Sequence, residues 1–256
     1  MIRSIYCFII SCVLFLTLST SLSAQERNLN DSIVFAPHIT VHYAYQFPGG
    51  DLAKRFGANS AVGADFYIKN RKNYFFGGEF NFLYGNKVTE PGLLTNLMTD
   101  QGEIIDLEGK PAELLIQQRG WTATLNVGKV FPVFGPNQNS GLLLRGGVGY
   151  IQHKIRIEQQ INDLPFLRDE YLKGYDRLTN GLLFNQFLGY YHMSSNRLVN
   201  FVVGFEAYQG FTAGRRDFNF DTQTVDNDPR FDLLVGLKAG WIIHFYRRQG
   251  PEFYYD

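Results

Sequence analysis

Five charged residues, Asp65, Glu79, Arg145, Glu206 and Lys238, fall in stretches that otherwise alternate apolar with small or polar residues. Charge in such company needs a partner, because an unpaired ion removed from water is expensive. Two chemistries suit the set. Carboxylates beside a cation can do acid–base work or pass protons and ions. The same groups, paired with one another, make a structural plug of the kind that fills a small barrel, and this is the reading favoured here. Counted from the strand ends at about 3.3 Å per residue, Glu206 and Lys238 reach one height on neighbouring strands, which predicts an ion pair. Asp65, Glu79 and Arg145 share a lower height, which predicts that Arg145 bridges one or both carboxylates. The histidines are His38, His42, His153, His192 and His244. None joins a Ser and an Asp at matching height, and His42 suits a packed polar role as well as a base. No HExxH, glycine-rich phosphate loop or calcium repeat occurs. The expectation is a non-enzymatic protein without metal or cofactor; a lipid or peptide hydrolase and a narrow channel stay open as alternatives.

The compartment is read from the first residues. Arg3, an apolar run from Ile5 to Leu18 and small residues ending at Ala24 have the layout of a secretory signal peptide over 1–24. Both cysteines, Cys7 and Cys12, lie inside it, so the exported chain has no disulfide or thiolate chemistry, which fits a bacterial envelope. Without Arg3 the 24 basic residues become 23 against 24 acidic ones, a balance that argues against a nucleic-acid partner. After residue 24 no apolar stretch is long enough for a transmembrane helix.

The elements that would hold the charges are strands. Eight segments alternate over the length a barrel strand needs: Ile39–Phe47, Ser60–Lys69, Tyr74–Gly85, Gly120–Val130, Gly141–Ile151, Gly181–His192, Val199–Gly210 and Phe231–Phe245. The sixth has an ambiguous phase at Asn185 and Gln186. The joins at 70–73, 131–140 and 193–198 are short or modest; those at 48–59, 86–119, 152–180 and 211–230 are long. Short turns at one end and long loops at the other predict an all-β, eight-stranded antiparallel up-and-down transmembrane β-barrel with long extracellular loops. Tyr45, Phe47, Tyr84 and Trp121 fall at one set of strand ends, and Tyr74, Trp241, Phe245 and Tyr246 at the other, as rings at a membrane boundary do. The expected division is a signal peptide (1–24), an N-terminal periplasmic segment (25–37), the barrel (38–246) and a periplasmic tail (247–256).

Lys238-x-Gly240-x-x-Ile243-x-Phe245 resembles the insertion signal on the last strand of outer-membrane proteins. With Ala24-Gln25, GYDRLTNG at 174–181 and AGWIIHFY at 239–246, the chain is similar to the small outer-membrane β-barrel proteins of Bacteroidetes-type bacteria. The resemblance implies location in the outer membrane, contact with its lipid, and insertion by the barrel assembly machinery. Family habit also implies an envelope protein partner, as an accessory subunit of an outer-membrane assembly or secretion complex. A structural or partner-binding role would fall to the loops. In 152–180, Leu164, Phe166, Leu167, Tyr171 and Tyr175 are the candidate contact residues, with packing of the loops into a lid as the alternative.

Overall fold

In the computed structural model, which describes residues 33–159, 164–194 and 199–245, eight antiparallel strands pair in chain order and the last closes on the first. They are β1 (Ala36–Gly50), β2 (Asn59–Lys69), β3 (Tyr74–Gly85), β4 (Leu114–Phe131), β5 (Gly141–Gln159), β6 (Thr179–His192), β7 (Phe201–Gly214) and β8 (Arg230–His244). One-turn helices α1 (Leu52–Arg55) and α2 (Asp169–Leu172) lie in the first and third long joins. Closure runs from His38 opposite His244 to Gly50 opposite Asp232. A closed ring leaves no sheet edge to pair with another chain.

The two-residue period gives the ring its two surfaces. In β1, His38, Thr40, His42, Ala44 and Gln46 are buried, while Val41, Tyr43, Tyr45 and Phe47 are exposed. In β8, Asp232, Leu234 and Lys238 turn inward and Phe231, Val235, Leu237 and Trp241 outward. The ambiguity in β6 resolves with Asn185 inside and Gln186 outside. That phase puts Leu183 and Phe187 into the lumen; a slip of one residue would reverse every side chain of the strand. No helix among the described residues is long and apolar enough to cross a membrane.

The main difference from the sequence reading is length. The β4–β5 ladder does not stop near Gly120 and Ile151 but continues to Leu114 opposite Gln159. The alternation persists there, with Ile155 and Ile157 buried and Lys154 and Arg156 exposed. Only the outer face changes, from apolar to charged, so a template built on an apolar outer face ends too early. β1 likewise begins at Ala36, opposite Lys69. Val34 and Ala36 are buried, and Lys69 Nζ donates to Val34 O (3.2 Å) and Asn139 Oδ1 (2.8 Å) across the end of the barrel that holds the short turns. The expected signal peptide, Tyr246 and the tail 247–256 lie outside the described residues.

Two apolar clusters bracket a polar middle. One, at the end with the short turns, includes Tyr67, Phe75, Phe187, Tyr191 and Ile242. The other, at the loop end, includes Leu52, Phe56, Leu94, Ile155, Leu164 and Tyr175. Inside the ring space is tight: a Cβ on Gly77 would lie 1.9 Å from Phe66 O and 2.5 Å from Tyr67 Cδ1. A Cβ on the outward Gly146 would meet nothing nearer than Asn185 O at 3.7 Å. Gly77→Ala is therefore expected to lower the unfolding free energy by roughly 1–3 kcal/mol, and Gly146→Ala to stay within about 0.5 kcal/mol of the parent. Urea unfolding of the full chain from lipid vesicles measures both.

Candidate functional site

The centre of the lumen is organised on one carboxylate. Glu79, from β3, accepts a bond from Lys238 Nζ at 2.6 Å and from Arg145 Nη2 at 2.8 Å. Tyr208 Oη and Asn81 Nδ2 also donate to it, at 2.7 and 2.9 Å. Lys238 lies 3.4 Å from Glu206 as well, and Gln46 Nε2 donates to Glu206 at 2.6 Å. Arg145 Nη1 stands 3.8 Å from Asp65. Its guanidinium also lies over the rings of Tyr67 and Phe187, 4.8 and 4.9 Å from their centroids. All five charged groups of the sequence reading thus meet in one layer, each no more than 5% exposed.

The pairing has a feature that strand counting does not contain. Lys238 is nearer to Glu79, across the lumen, than to Glu206 on the adjacent strand. Glu206 stands opposite Gly236 in the β7–β8 register, and Lys238 opposite Gly204, so the two are staggered by two residues. His42 Nε2 lies 2.6 Å from Asn81 Oδ1, and its Nδ1 is 3.5 Å from Asp65. Asn81 Nδ2 donates to Glu79, so Asn81 Oδ1 is the acceptor and His42 Nε2 carries the proton. Tyr208, Gln46 and Asn81 belong to the network although neutral; their inward phase was the available signal. The Glu79 carboxylate is thus buried and surrounded by four donors from four strands.

Above this layer His153 Nε2 lies 2.9 Å from Asp232 Oδ2, to which Thr212 Oγ1 donates at 2.6 Å. Phe56 closes over His153, ring edge to face, with centroids 5.6 Å apart. Higher still, one ionic cluster ties all four long loops. Arg55, from the loop after β1, donates to Glu90 at 2.9 Å, to Thr179 Oγ1 at 3.0 Å and to Arg177 O at 3.0 Å. Arg177 donates to the other oxygen of Glu90 at 3.2 Å and to Asp221 at 2.5 Å. Burial draws the Arg55 guanidinium below its ordinary pKa, and the neighbouring Glu90 carboxylate opposes that shift. This cluster left no mark in the sequence, because its members sit in loops of no fixed period.

The loop residues singled out as partner contacts divide. Leu164, Leu167 and Tyr175 are buried in the apolar cluster of the loop end, so they form the inside of a cap and not an exposed patch. Their neighbours in space come from other loops: Tyr175 Oη accepts a bond from Asn96, and its ring packs against Phe220. Tyr171 is 61% exposed. The side chain of Phe166 lies outside the described residues. On the closing strand, Gly240 faces His42, where a Cβ would lie 2.7 Å from Thr40 Cγ2. Ile243 and Phe245 turn outward, and the Phe245 amide donates to Pro37 O at 2.8 Å. Among the described residues no group of three or more His, Cys, Asp or Glu is placed to hold a metal ion.

No protein-family model matches the chain, and no curated protein matches it. Among solved structures it is similar to Neisserial surface protein A, at 8% identity over 82% of this chain and 97% of that one, with a TM-score of 0.42. It is also similar to Ail, the attachment invasion locus protein of Yersinia pestis (11% identity, 82% and 99% covered, TM-score 0.40). A third is the outer membrane protein OprG of Pseudomonas aeruginosa (11%, 85% and 99%, TM-score 0.34). None of the three comes from a Bacteroidetes-type bacterium. Identities and scores this low leave the fold to be read from the chain's own strand pairing.

The network makes a stability prediction. Lys238→Met leaves Glu79 without its nearest cation and is expected to cost about 3–5 kcal/mol. Glu79 keeps Arg145 in that variant, whereas Glu206 loses its cation, so adding Glu206→Gln removes the stranded charge and should recover at least half of the loss. Urea midpoints of the two variants in vesicles decide it; equal losses in both would show that the pairing is not what the residues contribute.

Proposed function

We propose that this chain is a non-enzymatic integral protein of the bacterial outer membrane, in which a sealed barrel mounts a folded extracellular cap for partner recognition. The observation that carries the reading is the lumen itself: it is crossed by the layer of Asp65, Glu79, Arg145, Glu206 and Lys238, all buried and mutually bonded. Structural polar filling of this kind supports a plug over a pore or a reaction chamber. His42, the candidate base, is likewise buried and engaged with Asn81.

Support for the membrane comes from the outer face. Val41, Phe66, Phe80, Leu125, Val148, Phe205 and Leu237, from seven strands, are each at least 48% exposed. An apolar belt around a whole ring suits hydrocarbon and not water. Tyr45 and Phe47 border it toward the loops, and Tyr74, Trp241 and Phe245 toward the termini. In this reading the termini are periplasmic, and Lys238, Gly240, Ile243 and Phe245 address the last strand to the barrel assembly machinery. An envelope protein partner then meets the cap where it is apolar and open: Leu107 is 76% exposed, Tyr171 61% and Val225 56%.

Planar-bilayer recording separates the plug from the channel. The full chain is expected to insert without a stable open conductance. The triple variant Glu79→Ala/Arg145→Ala/Lys238→Ala, if folded by heat-modifiable gel mobility, is expected to conduct. A steady conductance in the parent that Arg145→Ala leaves unaltered would overturn the sealed-lumen reading.

A further inference from the structure

Above the apolar belt the ring is unevenly charged. On β4 the outward residue one strand step beyond Trp121 is Arg119, and on β5 the steps beyond Tyr150 lead through Gln152 to Lys154 and Arg156. Arg119 and Lys154 stand directly opposite each other. Like charges in that position destabilise a sheet unless an anion lies between them. The Arg119 guanidinium turns to Gln117 and to Gln118 O. Further round, Asp176 is shared by Lys154 at 3.8 Å and Arg216 at 2.5 Å. Arg215, just past β7, donates from its side chain to Asn180 Oδ1 at 2.5 Å. Among the described residues neither Arg119 nor Arg215 has a carboxylate within ion-pair distance.

The rest of the ring differs. The cross-strand row that starts at Arg119 runs on through Tyr84, Ser60, Tyr45 and Leu237 without a charge. Along that row the cation is confined to β4; of the exposed cations at this end, Lys54 and Lys87 belong to the joins after β1 and β3, Lys54 is paired with Asp51, and Arg156 is paired with Glu158. Directly beneath the cations of β4–β7 lie apolar surfaces: Trp121 between Phe80 and Tyr150, and Phe184 edge-to-face with Phe211. A face with cations above and exposed rings below, at the border of a belt that hydrocarbon covers, matches an amphiphile whose head is anionic. Guanidinium groups bind phosphate through two parallel bonds, which favours phosphate as the anion.

We propose that the β4–β7 sector binds a phosphorylated, multiply acylated glycolipid of the outer leaflet, with Arg119 and Lys154 on one phosphate, Arg215, three strands away, on a second, and Trp121 and Phe211 against the acyl chains. The proposal rests on the outer-membrane reading above, which is checked separately by insertion of the full chain into phosphatidylcholine nanodiscs. The probe is bis-phosphorylated lipid A, titrated onto the folded full chain in detergent. Each cation removed is expected to weaken binding about fivefold, so R119Q/K154Q/R215Q loses about a hundredfold. Removing both phosphates from the lipid should weaken binding to the parent comparably, while R71Q/K72Q, in the turn between β2 and β3 at the opposite end of the ring, shifts it by less than about twofold. Excess inorganic phosphate should not displace the lipid. Should the triple variant not fold, R119Q and R215Q singly carry the same test at about fivefold each. Binding by the variants within about twofold of the parent, equal binding of dephosphorylated lipid, displacement by inorganic phosphate, or tighter binding of a soluble heparin fragment each overturns the proposal.

Discussion

The Glu79 carboxylate sits at the centre of a closed ring, buried, and its charge has to be met from within the barrel. Lys238 and Arg145 meet it from β8 and β5, strands that do not adjoin β3. The contact therefore exists only when the ring is closed, and the closed ring is what removes Glu79 from water. Closure and charge pairing thus depend on each other. Asp65, Glu206, Tyr208, Asn81 and Gln46 extend the network to β2, β7 and β1, so the layer binds nearly the whole circumference at one height.

The same principle organises the loop end on a different scaffold. Arg55, Glu90, Arg177 and Asp221 come from four loops with no shared ladder, and their ion pairs stand above an apolar cluster to which Leu52, Leu94, Leu164 and Tyr175 contribute. Apolar burial draws the loops together, and the ionic cluster selects how they lie. In the proposed reading the lumen is filled by its own side chains, which leaves the outside of the cap and the belt's upper border for recognition. That is why the exposed apolar residues of the cap and the cations of β4–β7 carry the proposed function, and the buried carboxylates do not.

Much of the barrel was legible because a strand has a fixed period and a barrel has two unlike surfaces. Val41, Tyr43 and Tyr45 against Thr40, His42 and Ala44 assign β1 its faces before any contact is known. The alternation failed where its chemical contrast failed. Beyond Trp121 and Tyr150 the outer face turns charged, and the β4–β5 ladder continues unseen; at Asn185 and Gln186 two polar neighbours hide the phase. Leu164, Leu167 and Tyr175 looked like an exposed patch because a loop sequence does not state which other loop will cover it.

By itself the sequence determined which residues face inward, from the alternation of side chains, and which end of the ring carries the long loops, from the spacing between strands. It placed Asp65, Glu79, Arg145, Glu206 and Lys238 on one surface. Only the tertiary structure decided that Lys238 approaches Glu79 more closely than Glu206, because the stagger of β7 on β8 and the reach of a lysine across the lumen are set by closure. It alone also decided that Arg55 would join Glu90 and Arg177, since those meetings follow from the packing of four loops and from no local period.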